Sequence, residues 1–525
     1  MNVTFKHFKK DFPASIVVFF VALPLCLGIA LASGAPLFSG LIAGIIGGIV
    51  VGAISKSPLG VSGPAAGLAV IVLNAISDLG AYEVFLMAVV LSGILQIVLA
   101  ILKAGVIGYY FPTSVIKGML AGIGIIIFLK QIPIAFGYNV TSDDGFKFIQ
   151  GDFKNTFTEI FGIVDHISLG AILLTLVSLG IILLWELYLT KKHQFFKLVP
   201  GPLVAVIVGI LFYITTQSNT TFQITSDNLV SVPVPDGFMS FVGQFTLPDF
   251  SEILNYQVWI VAFTIAVVAS LETLLCVEAT DKQDPKKRVT PTNRELFAQG
   301  IGNSLSGLIG GLPITQVIVR SSANMQAGGQ TKLSAIMHGF LLLFSIILIP
   351  HLLNLIPLSV LAAVLFVVGY KLAKPSLFKQ MFKLGNDQFY PFIVTVLAII
   401  FTDLLIGIGL GLAVGITIVL LNNYKNSHFL HIEDKSNGVN KIKMVLSEEI
   451  SFLNKAAIQR ELANLPKNTF LEIDVTNTVK MNYDIIEILD DFVETAKERD
   501  IEITLTSDKA TIKNPKKFST FFGYK

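Results

Sequence analysis

Ser62-Gly63-Pro64-Ala65-Ala66-Gly67 and Gly310-Gly311-Leu312-Pro313-Ile314-Thr315-Gln316 are the two stretches on which the reading of the fold turns. Each sets glycine and proline into an apolar run. Each is followed by a segment, 64–77 and 314–325, too short to cross a ~30 Å hydrocarbon core. Irregular backbone at membrane depth is tolerated only where it is buried in protein or lines a cavity. Working outward from the breaks, apolar runs lie near 13–33, 37–55, 82–103, 110–129, 167–190, 198–217, 255–279, 293–311, 331–353, 356–371, 388–404 and 406–424. With the two short segments counted as half-helices there are fourteen, and the breaks stand third in the first seven and third in the second. Matched breaks of this kind point to a carrier built from inverted repeats, with its site where the half-helices meet. Two helix N-termini facing each other near the midplane present free N–H groups and partial positive charge, which suits an anion.

Composition agrees. The 525 residues are 53% hydrophobic and 14% charged, with a mean hydropathy of +0.72, against about 25% charge in soluble domains. Only Lys56, Asp78, Glu83 and Lys103 are charged between Pro13 and Lys103, whereas residues 433–525 carry 30 charges. A membrane body of 1–425, with repeats about 13–217 and 255–424, is therefore expected ahead of a soluble appendage, 426–525. A net charge of +2 excludes bulk attraction to nucleic acid. Cys26 and Cys276 sit in apolar runs and offer neither a disulfide framework nor a metal site. Nothing assembles a nucleophile with a base, so an enzyme is excluded, and no cofactor is called for.

Basic residues orient the chain. The first run follows Lys6, Lys9 and Lys10 and reads as an uncleaved anchor, since a second span follows almost at once. The loops 281–294 and 191–197 and the segment 371–379 are rich in Lys and Arg, whereas 218–253 has none. Fourteen segments put every basic loop and both termini in the cytoplasm of a multi-pass protein of the inner or plasma membrane. In the tail, strands near 441–446, 469–475 and 501–505 alternate with helices near 454–464 and 483–499, a small α/β layer.

Three ionisable residues of the apolar body call for weighing. Glu272 stands near the middle of the eighth span, where a carboxylate costs at least ~2.5 kcal/mol on insertion scales and so should face a cavity. It is the candidate coupling group: a proton carrier if neutralised, part of a cation site if charged. Cys276 follows one turn along the same face. Arg320, one turn into the second half-helix, would add fixed positive charge to an anion pocket, unless it snorkels to the cytoplasmic face or pairs with an acid. His338 reads as a core histidine. The glycine faces Gly40/Gly44/Gly48/Gly52 and Gly407/Gly411/Gly415 read as close helix packing, and Asp403 as interfacial.

The runs Ser62-Gly-Pro-Ala-Ala-Gly67, Ser270-Leu-Glu-Thr-Leu-Leu-Cys276, Asn293-Arg-Glu-Leu-Phe-Ala-Gln-Gly-Ile-Gly-Asn303, Gly310-Gly-Leu-Pro313 and Arg320-Ser-Ser-Ala-Asn324 resemble the SulP family of inorganic anion transporters, as does Gly328-Gly-Gln-Thr-Lys-Leu333. The resemblance covers the whole chain and implies seven-plus-seven inverted repeats with a cytoplasmic STAS domain at the end. It implies a homodimer that carries sulfate, bicarbonate or a similar anion by symport or exchange, through alternating access of a core against a gate. The anion would sit at Ala65, Ala66 and Gly67 and at Gln316, Val317 and Ile318, with Glu272 nearby. Sodium-coupled bicarbonate carriers of the family place a shorter aspartate where Glu272 stands and a hydroxyl where Cys276 stands. Fewer hard oxygen ligands favour a proton over sodium as coupling ion. The tail loop Asp474-Val-Thr-Asn-Thr478 lacks the serine that related signalling domains have phosphorylated, which implies a packing role. The alternatives are a non-transporting anion sensor or scaffold, and a nucleobase-type carrier of the same architecture.

Overall fold

The computed structural model describes residues 7–105, 112–138, 167–192, 196, 199–219, 221–234, 240, 243–402, 404–425, 428–436, 439–508 and 510–521. Two compact units result, 1–412 and 413–525.

The first unit is helical. Helix α1 (Phe8–Ala32) is followed by α2, which runs from Leu37 to Ile46 and through a π-turn, Gly47–Val51, to Ile54. Strand β1 (Ser62–Pro64) leads through a 3-10 turn, Ala66–Leu68, into α3 (Ala69–Leu79). Then come α4 (Tyr82–Ile101), α5 (Thr113–Ala135), α6 (Leu169–Leu184, extended by a π-turn) and α7 (Gly201–Thr216). The second series is α8 (Tyr256–Gln283), α9 (Thr292–Leu308), β2 (Ile314–Gln316), α10 (Ile318–Gln326), α11 (Leu333–Leu348) and α12 (Leu358–Leu372). An amphipathic α13 (Pro375–Lys383) precedes α14 (Asn386–Phe401) and α15 (Leu404–Lys425). Seven of the described helices are long and apolar enough to cross a membrane. Asp403, Lys6 and Lys197 lie outside the described residues.

Close backbone approach holds the bundle. A Cβ on Gly300 of α9 would come within 2.7 Å of the Gly93 carbonyl of α4, and one on Gly48 within 2.7 Å of Gly339 Cα in α11. Only glycine allows such contact, as expected of small-residue faces in membrane helices. The start of α1 is tied down by Asp11. Fully buried, its carboxylate accepts from the Gln330 N–H (2.6 Å), the Thr331 N–H (3.0 Å) and the Thr331 hydroxyl (2.5 Å), just before α11.

The second unit carries a five-stranded sheet, β3 (His428–Ser436), β4 (Val439–Leu446), β5 (Thr469–Asp474), β6 (Glu502–Thr506) and β7 (Thr511–Lys513), in that spatial order. The inner pairings β4–β5 and β5–β6 are parallel and the outer two antiparallel. Helices α16 (Lys455–Asn464) and α17 (Tyr483–Glu498) make the crossovers. Ile485, Ile486, Ile488, Leu489 and Phe492 of α17 are all buried, matching the apolar face in the sequence. The edge strands β3 and β7 were not expected. The polar pattern of β3, ending Glu433-Asp434-Lys435, has no two-residue hydrophobic period to announce it.

Candidate functional site

The two breaks meet. β1 and β2 pair antiparallel, with Ser62 opposite Gln316, Gly63 opposite Thr315 and Pro64 opposite Ile314. Each strand runs straight into a half-helix through an extended residue, Ala65 (φ −108°, ψ 135°) or Val317 (φ −114°, ψ 120°), and neither N-terminus has a side-chain cap. An alanine and a valine offer no oxygen, so the orphan N–H groups of both first turns need other partners.

Helix α8 faces both. The Glu272 carboxyl lies against the backbone of Gly67, and the Cys276 thiol faces the Ile318 amide. Glu272 Oε2 makes no hydrogen bond at all. The approach is close: a Cβ on Gly67 would stand 2.7 Å from Oε2 and 2.8 Å from both Oε1 and Cδ. One turn on either side, Thr273 Oγ1 accepts from the Gln316 N–H (3.3 Å) and Thr280 Oγ1 from Gln316 Nε2 (3.1 Å). Thr280 in turn donates to the Cys276 carbonyl (2.6 Å). One face of α8 thus touches both half-helices and the strand between them.

A second polar stripe supports the crossing from α9. Glu295, Gln299 and Asn303 are spaced one turn apart and fully buried. Asn303 brackets Ile314 of β2, its Oδ1 accepting from the Ile314 N–H (2.5 Å) and its Nδ2 donating to the Ile314 carbonyl (3.1 Å) and to Gln96 Oε1 (2.7 Å). Gln299 Nε2 donates to Ser62 of β1 (2.8 Å) and to Glu295 (2.9 Å), and Glu295 also accepts from Ser55. The sequence analysis gives no individual role to Glu295, Gln299, Asn303, Thr273 or Thr280, although all but Thr280 stand in the runs quoted for the resemblance. Their signal is there, as polar side chains recurring one helical turn apart within spans.

Arg320 does not snorkel. It is the largest fully buried side chain among the described residues. Its Nη2 donates to Cys26 Sγ of α1 (3.3 Å), while Nε and Nη1 have no hydrogen-bond partner. No ion pair reaches it among the described residues, so the alternative of an acidic partner also fails. Its guanidinium lies against β1 so tightly that a Cβ on Gly63 would fall 2.1 Å from Nη1. His338 of α11 is fully buried, with Nδ1 2.6 Å from the Ala335 carbonyl and Nε2 unpartnered.

Of the residues expected at the site, the structure gathers Gly67, Gln316, Ile318, Glu272 and Cys276 through direct contacts. Ala65 and Val317 are the uncapped starts, Ala66 stands in the first turn, and Arg320 lies on the α1 side of β1. Beyond the far end of α8, Asp284 collects the Lys286 and Arg288 N–H groups and the Arg288 guanidinium (2.7 Å). Burial alone would raise its pKa, but these donors win and hold the carboxyl below its usual range.

Comparison with known proteins agrees with this architecture. Residues 8–395 match the model of the sulfate permease family. The chain is 27% identical over 408 residues to the putative sulfate transporter YvdB of Bacillus subtilis, covering 78% of this chain and 72% of that protein. It is 24% identical over 450 residues to the bicarbonate transporter BicA of a Picosynechococcus, covering 83% and 75%. Among solved structures, the transmembrane domain of a cyanobacterial BicA superposes with a TM-score of 0.64 at 23% identity, covering 79% of this chain and 98% of that one. The inward-facing murine anion transporter Slc26a9 superposes with a TM-score of 0.77 at 16% identity, covering 94% and 85%. These last two establish a shared fold. With three quarters of its length matched by one family model and its two broken segments paired at the centre of the bundle, the chain belongs to the sulfate permease family of membrane anion transporters.

Proposed function

We propose that the chain is a secondary active transporter that moves a small inorganic anion, sulfate or bicarbonate, across the inner or plasma membrane by alternating access. The carrying observation is the antiparallel crossing of β1 and β2, which delivers two uncapped half-helix N-termini to the face of α8 that bears Glu272. The anion is to sit at Ala65–Gly67 and Gln316–Ile318, in the field of both helix starts and of Arg320, whose buried charge is neutralised by no acid among the described residues.

Glu272 makes coupling intelligible. As a carboxylate it occupies the Gly67 amide, the group an incoming anion also needs, and repels that anion. Protonated, it frees the amide and removes the repulsion, so proton and anion bind together and leave together. A proton is therefore our preferred coupling ion over sodium. The thiol of Cys276 and the alanines at 65 and 66 are poor ligands for a hard cation. In this reading the repeats are seven plus seven, the body is 1–425, both termini are cytoplasmic, and the α/β unit is a STAS domain on a homodimeric carrier.

The test is uptake of labelled sulfate and bicarbonate into proteoliposomes under an imposed proton or sodium gradient, with Glu272→Gln alongside. Proton-driven accumulation that the variant loses, while still folding, supports the reading. Accumulation driven by sodium alone overturns the choice of coupling ion. Unchanged uptake in the variant removes Glu272 from coupling, and tight binding without movement of either anion turns the reading to a sensor.

A further inference from the structure

At the end of the bundle where α1 gives way to α2 lies a cavity of about 1060 Å³, walled by the ends of α1 to α5, by loop residues from 226–233 and 244–246, and by the start of α12. Its lining includes none of the residues at the half-helix crossing. It does include Lys130 and Gln131 of α5, Tyr82, Ser39, and Gln244 and Asp227 from the loop. The loop is fastened over it. Val230 N–H donates to the Ile356 carbonyl (2.9 Å), Val232 N–H to Asn354 (2.7 Å), and Asn228 to the Gly137 carbonyl (3.0 Å).

Gln131 is the informative residue. It is fully buried, yet neither its amide nitrogen nor its amide oxygen has a hydrogen-bond partner, and Gln244 Oε1 in the facing loop has none either. Buried amides are almost always paired, and leaving one unpaired is costly. A polar atom left unpaired in a cavity wall is a place for a ligand atom. Next to Gln131, Lys130 is 7% exposed and is the cation among the described lining residues.

We propose that this cavity is a second, outer anion site: an antechamber in which a hydrogen-bearing monovalent oxyanion, of the size and chemistry of bicarbonate, is held before it reaches the half-helix crossing. The proposal rests on the transport reading above for the assignment of this end as outer. Lys130 and Gln131 Nε2 donate to the anion's oxygens, while its single hydroxyl donates to one of the two acceptors, Gln131 Oε1 or Gln244 Oε1. Tyr82 is already committed, its hydroxyl donating to the Gly310 carbonyl (3.0 Å). Two features favour a monoanion over sulfate. The exposed Asp227 carboxylate shares the lining, so the described lining residues carry no net formal charge. The orphan set also contains acceptors, which sulfate, having no proton to give, cannot satisfy.

The experiment compares the two faces of oriented proteoliposomes. Half-saturation for bicarbonate is measured from outside and from inside for wild type, Gln131→Leu, Lys130→Met and Gln244→Leu. The last sits in the loop and tests the site should the buried variants fail to fold. The expected result is a rise of about tenfold in the outer value, the factor for one lost charge-assisted hydrogen bond, with the inner value within about twofold of wild type. Equal changes on both faces, or none in folded variants, overturn the antechamber. Binding of 13C-bicarbonate to detergent-purified protein by NMR separates the two readings. If Arg320→Met, which disables the crossing, still binds and the double variant Arg320→Met/Gln131→Leu does not, the outer site stands even where transport fails. If binding in Arg320→Met is insensitive to Gln131 and Lys130, the outer site falls while the transport reading is untouched.

Discussion

Replacing Gly67 with alanine puts one methyl group between the Glu272 carboxyl and the amide that holds it. The added carbon would stand 2.7–2.8 Å from three carboxyl atoms, and ordinary contact begins at 3.4 Å, so the carboxyl must retreat by about 0.7 Å. That retreat takes the carboxyl out of reach of the Gly67 amide and loosens the competition through which proton and anion are coupled. A hydrogen bond to a charged group contributes ~1.5–3 kcal/mol. At ~1.4 kcal/mol per factor of ten, Gly67→Ala should lower proton-driven uptake by roughly 10- to 100-fold. The assay is initial uptake into proteoliposomes at saturating proton gradient, normalised to folded protein by size-exclusion chromatography. Gly180→Ala in α6 is the control, since nothing lies within 4 Å of its added carbon; it should leave uptake unchanged and favour the helix by up to ~1 kcal/mol. A folded Gly67→Ala protein that transports within twofold of wild type would refute the role given to this contact.

Arg320→Met should abolish uptake without lowering the thermal midpoint, because the buried guanidinium leaves two nitrogens unpartnered and an apolar isostere removes that cost. A large fall in the midpoint would instead make the arginine structural, and melting in detergent decides. Asn303→Leu removes the bracket on Ile314 and orphans the β2 edge. At ~1–3 kcal/mol for each buried group left unpaired, it should lower the melting temperature more than any single change on the lipid face. In the C-terminal unit the Asp474 hydrogen bond, aided by Glu472, holds Lys443 above its ordinary range, at 2.9 Å and 3.3 Å. Burial would raise Asp474, but Lys443 and Thr476 outweigh it and hold its carboxyl low. The Asp474 contribution is present above about pH 3.9 and lost as acid protonates it, and the Lys443 contribution is present below about pH 10.4 and lost in base. Lys443→Met should flatten both slopes in calorimetry of the full chain, shallow as they are for a pair this exposed.

Much of the fold could be read from hydropathy because a span is long and its signal is summed over some twenty positions. The half-helices were readable from a different cue, Gly-Pro pairs at matching places. The pairing of Ser62–Pro64 with Ile314–Gln316 was not, because three extended residues have no period and their partners lie in the other half of the chain. The site was legible where chemistry is costly, as with Glu272 in mid-span. It was illegible where polar residues are cheap to read past: Thr273, Thr280 and Asn303 lower a span's hydropathy only slightly, and a single sequence does not say which face they share with what. Arg320 stayed open between pocket, surface and ion pair, since only the fold reveals that Cys26 and the bare Gly63 backbone form its surroundings.

The pairing of β1 with β2 also sets a timetable for biogenesis. Gln316 leaves the ribosome roughly 250 residues after Ser62, which at ~5–20 residues per second is about 12–50 s. For that interval the first broken segment has its backbone edge at membrane depth with no native strand to meet it, where every unmet N–H or C=O costs several kcal/mol. The insertion machinery, or water held beside it, must shelter that edge until the second half arrives. The crossing of β1 with β2 is therefore among the last parts of the helical unit to form.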